Sequence, residues 1–172
     1  MRQAEAMAPA VADDLDTAEA FSRWVEPHWD AMARLAARSS RDPDDILQDA
    51  LVAAWRNRAQ FDPARGSARN WLLAVTADQR RKAWRRAARL LPWTDPDLAV
   101  AAGQDATAQS VDLRRAVRRL PTQQALAVDL HYYLGLGVAD IAAVMRCPEG
   151  TVKSLLSRAR TRLRDLLGED YR

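Results

Sequence analysis

Apolar residues recur at helical spacing in the first third of the chain. They fall at steps of three and four residues and form one stripe, made of Phe21, Trp24, Val25, His28, Trp29, Met32, Leu35 and Ala36. This period predicts a helix that faces a core. A histidine on such a stripe is expected at a buried or boundary position, so His28 is not a catalytic candidate.

Two further helices follow. The sequence Asp42-Pro43-Asp44-Asp45 offers an N-cap, a proline suited to the first helical position and carboxylates near the positive end of the helix dipole. The predicted helix runs to about Ala59 with an inward set of Ile46, Leu47, Ala50, Leu51, Ala54 and Trp55. Residues 61–67 then break the pattern, and Ser67 can cap a third helix that begins near Ala68.

The periodicity is lost twice. Residues 1–14 are rich in alanine and acids without an apolar face, and we expect them to be disordered. Residues 92–109 contain two prolines, a glycine and small residues without a stable period, which predicts a linker. Helical spacing resumes with Leu113, Val117 and Leu120, turns at Pro121-Thr122, continues through Leu126, Leu130 and Tyr133, and stops near Gly135 and Gly137.

The last forty residues have helix-turn-helix spacing. A short helix through Val138, Ile141, Ala142 and Met145 precedes a tight turn over 146–150 and a longer helix from Thr151 to Leu167. The longer helix has an inward stripe of Val152, Leu156, Ala159, Leu163 and Leu166 and an opposite face of Lys153, Ser154, Ser157, Arg158, Thr161 and Arg162. Short hydroxyls beside long cations suit a major-groove helix, and Pro148 at the first helical position would leave the next amides free near a phosphate. A basic helix packed at a domain edge is the alternative interpretation.

Every predicted element is helical, so the predicted fold is all-α: two small helical domains joined by a flexible linker. No apolar run approaches the ~20 residues that span a bilayer, and the acidic start lacks the order of a secretory signal. We therefore expect a cytoplasmic protein without membrane insertion. The single cysteine, Cys147, with only His28 and His131 elsewhere, excludes disulfide and zinc-finger scaffolds, and no metal or cofactor is expected.

The net charge of +3 conceals a strong sorting of sign along the chain. Residues 1–49 hold eleven acids and five bases, whereas residues 65–89 hold eight bases and one acid, and residues 146–164 hold six bases and one acid. One basic block is often a solvated helix face, but two blocks on separate helices favour polyanion binding. The first block interleaves Trp71 and Trp84 with cations, an arrangement that suits single-stranded DNA because bases stack on aromatic rings and phosphates follow positive charge. We expect Trp71 to be buried and leave Trp84 open.

At these motifs the chain resembles the extracytoplasmic-function group of bacterial sigma factors, in the sigma-70 family. Region two is matched by DPDDILQDALVAAWRNRAQFDPARGSARNWLL, and region four by Leu120-Pro121 through Tyr132-Tyr133 followed by VADIAAVMRCPEGTVKSLLSRARTRL. Either motif alone is a moderate signal, and the two in this order across a linker are a strong one. The resemblance implies region two over 15–91 and region four over 110–172.

The resemblance also implies roles for particular residues. Core polymerase, through its largest subunits, would be bound by Asp45, Gln48, Asp49 and Arg56. The unwound −10 strand would be held by Arg65, Ser67, Asn70, Trp71, Asp78, Arg81, Lys82 and Arg85. The −35 duplex would be read by Thr151, Lys153, Ser154, Ser157, Arg158, Arg160 and Arg162. An anti-sigma factor is a further expected partner.

Some positions depart from the family pattern. Asp78 stands where asparagine is common, Lys82 where aspartate is frequent, and Leu155 where the recognition helix often has arginine; Pro43 interrupts the acidic patch. Because of these differences, the promoter sequences that the family prefers cannot be assigned to this chain. The differences do not alter the class.

The expected function is that of a non-enzymatic initiation factor that recognises promoters and assists their melting. The alternative is an autonomous helix-turn-helix regulator that binds duplex DNA without polymerase. An enzyme is disfavoured because no glycine-rich phosphate loop and no paired histidine and carboxylate occur, and because Cys147 lacks an activating neighbour in the sequence.

Overall fold

The computed structural model describes residues 15–38, 42–90 and 108–168. Within these ranges every regular element is helical. The eight α-helices are α1 Ala18–Val25, α2 Trp29–Ala37, α3 Pro43–Arg56, α4 Ala68–Leu90, α5 Ala108–Arg118, α6 Thr122–Val128, α7 Val138–Met145 and α8 Glu149–Leu167. The predicted all-α fold is confirmed. The predicted disordered residues 1–14 lie outside the described residues, as does the predicted linker up to residue 107, and α5 already begins at Ala108.

Helices α1 to α4 form an N-terminal module with its own apolar core. Its buried members are Phe21, Val25, Met32, Ala36, Ile46, Leu47, Ala50, Ala54, Leu72 and Val75. A cluster of aromatic rings closes one side, with the centroid of Trp24 5.1 Å from that of Phe61 and 5.8 Å from that of Trp71. The predicted stripes of the first two helices therefore do form a core, and Trp71 is half-buried in it as part of the aromatic cluster.

The first predicted helix is in fact two. Pro27 lacks an N–H and fixes its own φ, so the chain passes through a 3₁₀ turn at Glu26–His28 before α2 begins. The change of direction leaves Trp29 45% exposed, although its spacing predicted burial. His28 takes the expected boundary position.

Helix α3 also ends earlier than predicted. It stops at Arg56 rather than near Ala59, because the Asn57 side chain donates to the carbonyl of Ala53 at 2.7 Å and a 3₁₀ turn over Arg58–Gln60 follows. The start of α4 is as predicted. The Ser67 hydroxyl accepts the amide of Asn70 at 3.2 Å and satisfies one of the free amides of the first turn.

Helices α5 to α8 form a C-terminal module, with a π-helical turn over Asp129–Tyr133 that continues α6. Gly135 adopts φ +70°, a left-handed conformation that glycine reaches without strain, and the chain reverses there toward α7. Leu113 and Leu166 are exposed although their spacing placed them inward. Leu166 lies in the last turn of α8, whereas Leu113 lies in the middle of α5.

The turn between α7 and α8 is tight. Arg146 ends α7 in the left-handed region with φ 53°, and the amide of Cys147 bonds back to the carbonyl of Ala142 at 3.1 Å. Pro148 is the N-cap of α8 with extended backbone, so the first helical residue is Glu149. The prediction of Pro148 at the first helical position was wrong by one residue, because its ψ of 149° is extended, and its carbonyl accepts the amides of Thr151 and Val152 from outside the first turn.

The two modules pack against each other. Helix α4 contacts α2, α3 and α7, and one apolar cluster joins Leu35, Leu73, Ala74 and Ala77 of the N-terminal module to the core of the C-terminal module. The segment 72–77 of α4 is consequently buried all round. The sequence predicted two domains but no contact between them.

Acidification is expected to destabilise the N-terminal module through His28. Burial, and secondarily repulsion from Arg69, lower the pKa of the imidazole from its ordinary 6.5. The unfolded chain therefore takes up this proton at a higher pH than the folded chain, and stability is lost as the pH falls from 6.5 through the lowered folded pKa. Thermal unfolding between about pH 7.5 and about pH 5 is expected to depend less on pH in His28→Gln. An equally steep acid loss in that variant would contradict the assignment.

Candidate nucleic-acid interface

Helix α8 presents a polar and basic face to solvent. One side is anchored in the core, since Val152 and Ala159 are 0% exposed and Leu156 is buried. All seven residues predicted to read a duplex are exposed: Thr151, Lys153, Ser154, Ser157, Arg158, Arg160 and Arg162. The arrangement matches what a helix needs to enter the major groove, with small side chains for close approach and cations that reach outward.

The short polar groups on α8 are held by their own helix. The hydroxyl of Ser154 donates to the carbonyl of Gly150 at 2.9 Å, and the hydroxyl of Thr161 to that of Ser157 at 3.4 Å. Lys153 has only a distant ion pair, with Nζ 4.0 Å from the Glu149 carboxylate. Lys153 is therefore not held by a close ion pair, whereas the two hydroxyl groups are oriented by carbonyls of their own helix and can still accept a bond.

The residues predicted to hold a single strand do not form one uniform surface. Arg65 and Ser67 are exposed in the segment before α4, and Lys82 and Arg85 are exposed along its second half. Trp84 lies among these cations and is 56% exposed, which leaves an aromatic face open to solvent. Base stacking on an exposed ring beside cations is the usual way in which proteins bind unpaired strands.

Three other members of the predicted strand-binding set are already engaged. The side-chain amide of Asn70 donates to Asp140 in the first turn of α7 at 2.7 Å. Asp78 pairs with Arg81 one turn later and with Arg146 of the C-terminal module at 3.5 Å. The structure therefore divides the predicted set into an open part, a part engaged at the C-terminal module, and Trp71, which lies in the aromatic cluster of the N-terminal module.

The acidic face of α3 is open. Asp45, Gln48, Asp49 and Arg56 are all exposed and lie at helical spacing on one side of α3. Asp49 forms an exposed ion pair with Arg86 of α4 at 3.1 Å, which water screens and which adds little stability. Sequence analysis missed Val52, an exposed apolar residue in the middle of this face. Apolar surface ringed by polar groups is typical of a protein interface.

Sequence analysis also missed a group of buried charges between the modules. Asp129 is 0% exposed, and its carboxylate lies 2.9 Å from Nε of Arg38 and 2.8 Å from Nη2 of Arg80. Arg80 is one of the eight bases counted in residues 65–89, but it is buried in this pair and adds nothing to an exposed basic surface. A signal existed, since Asp129 interrupts the apolar run Ala125–Leu130.

Further cations surround this group. Burial lowers the pKa of Arg118, and repulsion from Arg38 and then from Arg114 adds to the effect. The guanidinium of Arg38 also lies 4.6 Å from the ring centroid of Tyr133. Asp129 is therefore a single buried carboxylate in a strongly positive setting.

Two kinds of feature are absent from the described residues, a metal site and a membrane-spanning helix. No cluster of histidine, cysteine and carboxylates there could hold a metal ion. No described helix combines the length and the apolar character that crossing a bilayer requires.

Two family models match the chain, each on one module. The model described as Sigma-70 region 2 matches residues 18–90, and the model described as Sigma-70, region 4 matches residues 110–163. The first range covers α1 to α4 and the second contains the helix-turn-helix. Together they account for well over half of the chain.

Curated relatives agree with these matches. The ECF RNA polymerase sigma factor SigM of Mycobacterium tuberculosis (strain ATCC 25618 / H37Rv) is 38% identical over 170 residues, which cover 96% of this chain and 84% of the relative. The ECF RNA polymerase sigma factor EcfG of Rhodopseudomonas palustris (strain TIE-1) is 31% identical over 131 residues, covering 74% of this chain and 72% of the relative.

Two solved structures share the arrangement of helices. The sigma factor RpoE of Bartonella quintana, in complex with the anti-sigma factor NepR, has a TM-score of 0.73 at 26% identity, covering 87% of this chain and 98% of that chain. CnrH, in complex with the cytosolic domain of CnrY, has a TM-score of 0.68 at 28% identity, covering 92% of this chain and 96% of that chain. With both regions matched in order, this chain belongs to the extracytoplasmic-function group of the sigma-70 family, the RNA polymerase sigma factors.

Proposed function

We propose that this chain initiates transcription by binding core RNA polymerase through α3, the −10 strand through α4 and the −35 duplex through α8. The observation that carries the proposal is the pairing of two different nucleic-acid surfaces. One is a helix-turn-helix whose outer face is entirely polar and exposed, and the other is a basic helix with an exposed tryptophan. The first fits paired DNA and the second fits unpaired DNA.

At the −35 element, α8 acts from its N-terminal half. Lys153, Ser154, Ser157 and Arg158 approach base edges, and Arg160 and Arg162 bind phosphates on either side. The buried stripe of Val152, Leu156 and Ala159 supports this role, because it fixes the rotation of α8 and thus which side chains face the groove. In this role the helix-turn-helix recognises the base sequence, and the flanking arginines add affinity by binding phosphates.

At the −10 element, the segment 61–70 and α4 capture unpaired bases. Extracting a base from the duplex costs a few kcal/mol, which contacts in a pocket offset. Arg65 and Ser67 are accessible before α4, while Lys82 and Arg85 follow the strand along it. The exposed Trp84 adds a stacking surface that the family resemblance did not assign.

The partners are proteins as well as DNA. The exposed acidic face of α3 binds the clamp of the largest polymerase subunits, with Val52 as a central apolar contact. Polymerase performs the chemistry in the cytoplasm, and this chain contributes none. RpoE of Bartonella quintana and CnrH are in complexes with partners, NepR and CnrY, of which NepR is an anti-sigma factor. We propose that a comparable inhibitor controls this chain.

Run-off transcription tests the proposal directly. Purified core polymerase with genomic promoter fragments is expected to yield new transcripts only when this chain is added. Competition with a second sigma factor for core polymerase gives an independent measure. The proposal fails if the chain neither stimulates transcription nor competes. The autonomous-regulator alternative instead requires tight, sequence-specific gel shifts by the chain in the absence of polymerase.

Charge reversal on α3 is expected to weaken core binding. Asp45→Lys with Asp49→Lys inverts the open acidic face, and close like charges at an interface reduce affinity strongly, by about tenfold or more. Fluorescence anisotropy with purified core measures the effect. Glu19→Lys with Asp30→Lys is the matched control, because both residues are exposed in the same module and the change in net charge is identical. An equal loss in the control would assign the effect to net charge instead of α3.

Replacement of two cationic side chains of α8 by alanine is expected to weaken −35 recognition and leave core binding unchanged. Lys153→Ala with Arg158→Ala removes two cations and is expected to cost about 1–3 kcal/mol per specific base contact. Holoenzyme binding to promoter fragments, with intact and scrambled −35 elements, provides the measurement. Arg23→Ala with Arg34→Ala removes two exposed cations from the other module and serves as control. The division of roles is wrong if the α3 and α8 variants lose the same activity to the same extent.

A further inference from the structure

Three arginines lie together at the C-terminal end of α2. Arg38 is the C-cap of α2, and Arg114 and Arg118 are one turn apart on the same side of α5. The guanidinium of Arg118 is close enough to those of Arg38 and Arg114 to be repelled by both, and all three residues are partly buried. We call these three residues the arginine cluster.

The carboxylates around the arginine cluster do not balance its charge. Oδ1 of Asp129 accepts Nε of Arg38 at 2.9 Å, but Oδ2 lies 2.8 Å from Nη2 of Arg80, which is itself buried. Within the described part of the chain, no carboxylate pairs with Arg114 or Arg118. Four arginines thus stand against one carboxylate, which leaves three positive charges uncompensated at this place.

Arg38 is held in one orientation by its own neighbours. Asp129 accepts its Nε, and its guanidinium lies 4.6 Å from the ring centroid of Tyr133. A guanidinium is a planar fork of N–H donors that matches two oxygens of one phosphate group. A fork that is already oriented binds an anion at a lower entropic cost than a free side chain does.

The arginine cluster destabilises the folded chain unless an anion is bound. Burial, and then repulsion from Arg38 and Arg114, lower the pKa of Arg118, so its charged form is less favourable in the folded chain than in water. An anion between the guanidiniums replaces repulsion by attraction. Because the three groups lie within a small volume, the anion that suits them is compact and carries several charges. Adjacent phosphate groups have both properties.

We propose that the arginine cluster is a binding site for a compact polyphosphate, such as inorganic pyrophosphate or the diphosphate group of a nucleotide. The site takes one residue from α2 and two from α5, so a single ligand contacts both modules. None of the three arginines belongs to the sets assigned to core polymerase, the −10 strand or the −35 duplex. The site therefore goes beyond the proposed function, and its test needs neither polymerase nor promoter.

Titration calorimetry of the full chain at low ionic strength tests the site. Sodium pyrophosphate is expected to bind saturably at one equivalent per chain, and sodium chloride at matched ionic strength controls for screening. Arg114→Gln and Arg118→Gln are each expected to weaken binding about tenfold or more, because each removes a charge-assisted contact. Arg164→Gln removes an exposed arginine of α8 in the same module and is the matched control, with no change in affinity expected.

Thermal unfolding distinguishes loss of the site from loss of the fold. Without ligand, Arg118→Gln is expected to unfold at the same temperature as the unchanged chain or at a higher one, because it relieves repulsion. Pyrophosphate is expected to raise the Tm of the unchanged chain and not that of the variant. If Arg118→Gln is instead destabilised without ligand, Arg114→Gln decides. Destabilisation of both variants would make the arginines structural and overturn the proposal.

Other results of the titration also overturn the proposal. Heats that do not saturate with pyrophosphate would show screening of charge and no site. Equal weakening by Arg164→Gln would show that total charge, and not the arginine cluster, attracts the anion. Binding of a single-stranded oligonucleotide without binding of pyrophosphate would make this a nucleic-acid surface.

ADP distinguishes the two sources of the phosphate groups. If ADP binds more tightly than pyrophosphate and loses affinity in Arg118→Gln, the ligand is a nucleotide. If ADP binds equally or more weakly while pyrophosphate binding depends on Arg118, the ligand is the inorganic ion. Both results support a polyphosphate site, and failure of the chain in transcription would leave either of them unchanged.

Discussion

Helix α4 is buried on two sides, by the N-terminal core and by the C-terminal module, and the rest of the structure depends on this packing. Leu72 and Val75 belong to the core of the N-terminal module, whereas Leu73 and Ala77 belong to the cluster of the C-terminal module. Thr76 between them is also buried, and its hydroxyl donates to the carbonyl of Leu72 at 2.9 Å, so its polar group is satisfied. The middle of α4 is therefore committed to packing. Only its first turn and its second half remain for contact with nucleic acid.

Much of the fold could be predicted because its signals are local. The Ser67 cap, the stripe of α3 and the short turn before α8 each depend on residues within a few positions of one another, and all three were predicted correctly in kind. The burial of α4 on two sides could not be predicted, because residues 72 to 77 are apolar except for Thr76 and carry no helical period. A helix that is apolar on every side is expected to be buried, but its sequence does not show which elements cover it.

The candidate site could likewise be predicted only where its signals are local in the sequence. On α8 every predicted residue is exposed, because one buried stripe fixes the whole opposite face. On α4 the prediction separated into open and covered residues, since Asn70 meets Asp140 across a sequence separation of 70 and Asp78 meets Arg146 of the C-terminal module. Contacts between residues so far apart in the sequence give no signal in the spacing of apolar and polar residues. The roles of all these residues remain predictions, to be tested by the variants of α3 and α8.

The unequal exposure of the DNA-facing helices implies an order of events. The faces of α3 and α8 are exposed while the two modules are in contact, so contact with polymerase and with duplex can come first. The Asn70 amide and the Asp78 carboxylate instead bond to Asp140 and Arg146 of the C-terminal module, so a strand that binds there has to displace these contacts. Under the proposed function, α4 therefore meets the −10 strand after the chain has been placed on polymerase and duplex.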